Sequence, residues 1–296
     1  MPSYSPRDPL PFPYRPPMEQ PLVSVIIPCY KKAPYIGTTL ESMQRQTYPS
    51  VEVIVVDDGS PDNTREVVEP YLTKMPNLRY VRQENAGVSA ARNNGIRSSK
   101  GEYIMALDAD DAIEPTYIER CAEYLSAHPE VKLVYTLADI FGNRTGDWDL
   151  PPYSHERLLW ENMVHYCAMY RREDFDRTDG YNTNMVKGLE DWDFWLTLLR
   201  PDDRVHCIEE RLFHWRVLDE SRTAEADRNL QTLMRQIYHN HEDLYKEHLQ
   251  DIIFYRDRWQ MALWELGRAE EAKQSKAYRL GKLLLKPTAW LRKLTH

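Results

Sequence analysis

From Leu22 onward, short apolar runs alternate with stretches in which apolar positions recur every three or four residues. Val23-Ser24-Val25-Ile26-Ile27 is apolar but for one serine, and Val51 to Val56, Leu78 to Arg82, Tyr103 to Leu107 and Val131 to Tyr135 have the same character. Each predicts a strand, being short and rich in β-branched or aromatic residues. Between them, Ala33 to Gln46, Asn63 to Lys74, Val88 to Ser98 and Pro115 to Ala127 carry helical spacing. Strand and helix in alternation predict βαβ units, and hence an α/β fold with a mostly parallel central sheet flanked by helices.

The pattern breaks after Phe141, where Gly142, Gly146, Pro151 and Pro152 mark a loop, and helical spacing returns at Leu189 to Leu199. Beyond Arg222 the chain reads as mainly helical, through Gln236 to Gly267. At the other end, Pro2 to Pro21 is too rich in proline for a helix or an inner strand and is expected to be an extended arm. Tyr4, Phe12 and Tyr14 would anchor that arm to its own domain or to a second subunit. Three segments follow: an arm over 1–21, an α/β domain over 22–220 with halves at about 22–112 and 113–220, and a helical C-terminal extension over 221–296.

A formal net charge of −8 over 296 residues argues against a general nucleic-acid binder, because such affinity rests on clustered Lys and Arg. The exception is the tail, where Lys273, Lys276, Arg279, Lys282, Lys286, Arg292 and Lys293 occur without an acid. Over 276–294 these cations interleave with Leu283, Leu284, Leu285, Trp290 and Leu291, a pattern suited to peripheral contact with an anionic membrane. A solvated helix packed on the main domain is the rival reading. Cys29, Cys121, Cys167 and Cys207 form no CxxC pair, so reduced thiols are expected. With neither a secretory leader nor a bilayer-length apolar run visible, the expected location is cytoplasmic, at the inner face of the membrane if the tail binds there.

Two acidic clusters follow strands: Asp57-Asp58-Gly59-Ser60 after the second and Asp108-Ala109-Asp110-Asp111 after the fourth. In open α/β sheets ligands bind beyond the carboxyl ends of strands. Carboxylates gathered there repel one another unless a cation or a hydrogen-bonding ligand compensates. The Asp108-x-Asp110 spacing suits a hard cation such as Mn²⁺ or Mg²⁺, which takes oxygen ligands and shares substrate phosphates. An acidic turn, or a helix cap by Asp111, explains the triplet alone about as well. For Asp57 and Asp58 the plain alternative is a turn capped by Ser60 or Asp62.

Taken in order, Val23 to Tyr30, Asp57-Asp58-Gly59-Ser60, Asn85-Ala86-Gly87-Val88-Ser89-Ala90-Ala91-Arg92-Asn93, Asp108-Ala109-Asp110 and Glu190-Asp191 resemble the family-2 glycosyltransferases of the GT-A, Rossmann-like fold. The resemblance runs from about Leu22 to Val217 and leaves out both the arm and the tail. It implies a nucleotide site built from Pro28, Tyr30, Asp57, Asp58, Arg92, Asp108 and Ala109, with Tyr30 stacked on the base and Asp58 hydrogen-bonded to it. Arg92 would support the ribose or phosphate side, or else pair with a rim carboxylate. Asp108 would face the ribose and Asp110 would hold the metal, with Asp108 beside it; His214 is a further candidate ligand, and Arg216 could meet the diphosphate. Asp191, next to Glu190, would be the general base on an acceptor hydroxyl, although two acids opening a helix also simply offset its dipole. Trp192 is the candidate acceptor-stacking residue. It should share a helix face with Trp195, and at least one of the two is expected in the core.

The resemblance thus implies inverting, metal-dependent transfer of a hexose or N-acetylhexosamine from a nucleoside diphosphate sugar, UDP favoured, to a glycan or lipid-linked glycan. The alternatives are a catalytically silent nucleotide-sugar or glycan-binding module, or a sugar nucleotidyltransferase. The latter needs a glycine-rich loop after the first strand, where Pro28-Cys29-Tyr30-Lys31-Lys32 has no glycine.

Overall fold

A computed structural model of the chain describes residues 20–218 and 222–248, together with isolated positions beyond. The proline-rich arm, up to residue 19, and the basic segment 276–294 lie outside the described residues. The first half runs β1 (Val23–Cys29), α1 (Ile36–Gln44), β2 (Val51–Asp57), α2 (Thr64–Lys74), β3 (Leu78–Arg82), α3 (Val88–Ser98), β4 (Tyr103–Ala106), β5 (Ala112–Ile113) and α4 (Tyr117–Ala127). The second half runs β6 (Val131–Gly142), β7 (Gly146–Trp148), α5 (His155–Leu158), β8 (Met169–Arg171), α6 (Arg172–Phe175), α7 (Glu190–Leu198), β9 (Arg204–Val217) and α8 (Arg222–Asn240). One further helix, α9 (Glu242–Glu247), belongs to a separate compact unit that starts at Glu242.

The strand order is β3-β2-β1-β4-β8-β6-β9-β5, with β7 paired to β6. β3, β2, β1 and β4 are all parallel, as the βαβ alternation requires. Residues on both faces of β1 and β2 are buried, which is why those strands read as unbroken apolar runs rather than alternating ones. From β8 onward the sheet is mixed: β8 is antiparallel to β4 and to β6, while β9 is parallel to β6.

α1 begins three residues later than its periodicity suggests. Lys31 adopts φ 55, in the left-handed region, and the backbone turns at Lys32 before the helix opens. β6 extends well past Tyr135, and β9 had no strand-like signature, since its sequence Arg-Val-His-Cys-Ile-Glu-Glu-Arg-Leu-Phe-His-Trp-Arg-Val mixes charges throughout. The register between the two shifts at Leu137, and this irregularity erases the period of two along both strands.

Candidate active site

The carboxyl ends of β1 and β2 carry the first cluster. Pro28 is buried inside β1, and Tyr30 just beyond it is 41% exposed, with the Lys31 ammonium 5.0 Å from its ring centroid. Asp57 is fully buried. It accepts from the Ser60 N–H at 2.8 Å, from Arg82 at 2.8 Å and from the Tyr80 hydroxyl, so its carboxylate is consumed in bracing the turn. Asp58, also buried, accepts from Gln83 Nε2 at 2.8 Å and from the backbone N–H groups of Ala86 and Gly87 at 2.9 Å each. It thereby fixes the loop that opens α3. Its Oδ2 accepts one of these bonds and its Oδ1 two, so Oδ2 keeps more accepting capacity.

The end of β4 carries the second cluster. Leu107 still bonds to Ile26 of β1, and then the chain turns, with Asp111 N–H donating to the Asp108 carbonyl at 3.1 Å. Ala109 is buried, which turns Asp108 and Asp110 toward the rim. Asp108 accepts from Arg92 at 2.7 Å, and the same guanidinium donates to Glu190 at 2.9 Å. Arg92 is 0% exposed and lies between the rings of Tyr166 and Tyr181, with centroids 5.4 and 5.3 Å away. Of the two roles open to Arg92 from sequence, the structure has the second, pairing with rim carboxylates. The two carboxylates raise its affinity for its proton despite burial.

Asp110 receives the Lys32 ammonium at 2.5 Å and, through its carbonyl, Arg216 Nε at 2.7 Å. Burial raises its pKa and Asp108 adds to this, while Lys32 opposes them. Asp111 accepts from the Arg216 N–H at 2.6 Å; burial, with Asp110 and Asp108 close by, holds its pKa well above the ordinary range. The Arg216 guanidinium is stacked 4.2 Å from the Phe141 centroid and 5.2 Å from that of Tyr35.

Opposite this rim, α7 starts after Leu189, whose φ of 59 turns the chain sharply into the helix. With no side-chain cap there, Glu190, Asp191 and Asp193 supply negative charge to the first turn. Glu190 is buried against Arg92, so one guanidinium joins the β4 rim to the start of α7. Asp191 accepts from Asn162 Nδ2 at 3.0 Å. Burial, then the neighbouring Glu190 charge, push its pKa up to about 6, against the opposing pull of Arg92, the Trp192 N–H and Asn162. A carboxylate so tuned is poised to take a proton near neutral pH.

Two expected participants lie elsewhere. Trp192 is 4% exposed, with its indole N–H bonded to the Leu158 carbonyl at 2.6 Å, and Trp195 is bonded likewise to Val164, so both rings of the pair are core. A ring locked into packing presents no face to a sugar. His214 faces Glu114 at 2.8 Å and Asp139 at 3.9 Å, and not the Asp110 carboxylate. Lys32 and Asn162 are the site residues that sequence reasoning passed over. Lys32 had a signal, a cation on the loop after β1 facing an acidic rim, whereas Asn162 had none. Two cavities, of about 470 Å³ beside Tyr124, His128 and His206 and about 400 Å³ beside Gln83, Ala86 and Asn93, lie outside the acidic rim.

A parallel first half joined to a mixed second half, with helices flanking the sheet, is the GT-A architecture. The chain belongs to Glycosyl transferase family 2, whose sequence pattern matches residues 24–185. It is 33% identical over 182 residues to the chondroitin synthase of Escherichia coli, covering 60% of this chain and 26% of that protein. It is 30% identical over 213 residues to the glycosyltransferase EpsJ of Bacillus subtilis, covering 66% and 61%. This chain therefore spans about a quarter of the first relative and three fifths of the second. Among solved structures, TarS of S. aureus in complex with UDP-GlcNAc superposes with a TM-score of 0.63 at 23% identity, over 74% of this chain and 66% of that one. The mannosyltransferase PcManGT of Pyrobaculum calidifontis, in complex with GDP-Man and Mn²⁺, gives 0.57 at 21% identity, over 89% and 84%.

Proposed function

We propose that the chain transfers a hexose or N-acetylhexosamine, with inversion, from a nucleoside diphosphate sugar to a hydroxyl of a glycan or lipid-linked glycan. The carrying observation is the Asp108–Arg92–Glu190 bridge, which brings the β4 rim and the start of α7 to one guanidinium and leaves Asp110 and Asp191 as the neighbouring working carboxylates. Tyr30, exposed at the end of β1, offers a stacking face to the base, and Asp58 Oδ2 an acceptor for an imide N–H such as that of uracil. The UDP-GlcNAc held by TarS favours a UDP donor, and the synthase relative favours a polysaccharide acceptor.

The rim fits a hard divalent cation in a specific sense. Asp110 offers a hard oxygen donor that already attracts a cation, the Lys32 ammonium, and among the described residues no group of three His, Cys, Asp or Glu is placed to hold an ion by itself. Such a donor set suits Mn²⁺ or Mg²⁺ that draws most of its shell from substrate phosphates, as Mg²⁺ commonly does. When bound, the ion would neutralise the departing diphosphate, with Asp110 as its protein ligand. Asp191 accepts the proton of the attacking hydroxyl, and Asn162 holds the carboxylate in position for it. Arg92 keeps Glu190 and Asp108 paired and leaves Asp191 as the base.

Asp191→Asn is expected to leave UDP binding within about two-fold of the parent while transfer falls by roughly 10²–10⁴. Calorimetry with UDP and a transfer assay against a panel of nucleotide sugars read the two halves; full transfer in that variant would remove the base assignment.

A further inference from the structure

Lys32 belongs to none of the acidic motifs, yet the fold fixes it with care. Its carbonyl accepts from the N–H groups of Tyr35 at 2.9 Å and Ile36 at 3.0 Å, and the next N–H, that of Ala33, donates to Asp62 at 3.2 Å. The backbone is therefore anchored as the turn that opens α1. From there the side chain crosses to the β4 rim and places Nζ 2.5 Å from Asp110 Oδ2.

The rim holds three acids within four residues, and each is answered differently. Asp108 pairs with Arg92, which is fully buried and doubly engaged. Asp111 accepts a backbone N–H, which has no freedom to leave. Asp110 is met by Lys32, whose side chain is 30% exposed on a flexible four-carbon stem. Among the described rim residues, Lys32 is the cation held to a carboxylate by a partly exposed, flexible stem, and that carboxylate is the one assigned to the metal.

We propose that Lys32 is a resident counter-cation of Asp110, which a divalent ion must displace, and that the freed ammonium then turns to the diphosphate. An ammonium and a metal ion cannot share one carboxylate oxygen at contact distance without strong repulsion. In the nucleotide-free protein Lys32 offsets the repulsion among the three acids and keeps metal affinity low. A bound diphosphate supplies anionic oxygens for both cations, so metal and nucleotide bind with positive coupling, which by linkage is reciprocal. This inference rests on Asp110 being the metal-holding carboxylate.

The test is Mn²⁺ binding to the full chain, followed by electron paramagnetic resonance of free Mn²⁺ with and without UDP, in the parent, Lys32→Met, Lys32→Gln, Lys32→Arg and Asp110→Asn. Without nucleotide, Lys32→Met and Lys32→Gln are expected to bind Mn²⁺ roughly ten-fold more tightly than the parent, and Lys32→Arg like the parent. UDP should tighten Mn²⁺ binding in the parent by a larger factor than in Lys32→Met. Using two neutral variants guards against a folding defect in one of them. Parent-like Mn²⁺ affinity in both neutral variants, with Asp110→Asn weakened, overturns the displacement proposal and leaves the metal assignment standing. Parent-like Mn²⁺ affinity in Asp110→Asn, with and without UDP, removes the metal assignment itself.

Discussion

Asn240, the last residue of α8, donates to Oδ1 of Asp193 at 2.7 Å, two residues beyond Asp191 on α7. His241 Nε2 meets the same oxygen at 3.1 Å, and Asn182 donates to Oδ2 at 2.6 Å. Asp193 is 0% exposed, so a single buried acid ties the C-terminal end of α8 and the loop before α7 to the helix that carries the proposed base. α8 lies within the compact unit that ends at His241.

That tie makes Asn240 a positioning residue for α7. Asn240→Ala should lower stability by about 1.5–3 kcal/mol through loss of its hydrogen bond to the Asp193 carboxylate. Asp193→Ala should cost more, because several donors lose their acceptor together. Denaturant unfolding measures both, and kcat should fall in Asn240→Ala while KM for the donor stays put. A parent-like kcat would show that α7 holds its place without α8.

The neighbouring acids set the pH response. Asp191 must be ionised to accept a proton, and its pKa lies near 6, so transfer should rise as pH increases through 6 and level off above it. Part of that elevation comes from the Glu190 charge, and Arg92 opposes it. In Glu190→Gln the repulsion is gone and Arg92 loses a competing partner, so the acid limb of kcat against pH should move downward. A limb that stays at the parental position would mean that some other group titrates.

A third prediction concerns a histidine that takes no part in the chemistry. His165 is buried among Tyr135, Trp148 and Phe213, bonded through Nε2 to the Thr136 carbonyl, and burial pushes its pKa down to about 4. An unfolded histidine titrates near 6.5, so the unfolded state binds the proton first as pH falls. The stability contributed by a neutral His165 is complete above pH 6.5 and is lost toward pH 4, about 2 kcal/mol of it by pH 5. Urea midpoints at pH 7 and pH 5 should show that loss in the parent and a much smaller one in His165→Phe. Equal losses would place the acid sensitivity elsewhere.

The first half of the fold was legible because β1, β2 and β4 are buried on both faces and read as apolar runs, while α1 and α4 each carry an apolar stripe. β3 and α3 fall where their patterns end. The acidic motifs were legible for a different reason, since charges at strand ends stand out against apolar runs. The contacts that organise the site were not, because they join residues far apart in sequence. Arg92 reaches Glu190 across 98 positions, and nothing in the local sequence of Val88–Ser98 tells a guanidinium bound for a buried bridge from one bound for a phosphate. Trp192 misled for a similar reason: spacing gives a shared helix face but not whether that face looks inward.

Gly87 offers a test that separates the Asp58 loop from the core. Its backbone sits at φ 89, ψ 163, a region essentially reserved for glycine, and its N–H donates to Asp58 Oδ2 at 2.9 Å. An added Cβ would meet nothing within 4 Å, so the cost of Gly87→Ala is backbone strain alone, about 1–3 kcal/mol. The cheapest relief is rotation of the loop, which pulls the N–H away from Asp58 and distorts the surface beneath the base. UDP affinity should therefore drop at least several-fold, while the loss of global stability stays within that range of about 1–3 kcal/mol. Gly95→Ala is the contrasting case: its Cβ would lie 2.4 Å from Ile26 Cγ2 and 3.0 Å from Val56 Cγ2, inside the packing between α3 and the sheet. That variant should unfold at clearly lower urea while its folded fraction binds UDP as the parent does. If Gly87→Ala instead binds UDP normally and only melts earlier, the Asp58 loop is a structural brace and the base is held elsewhere.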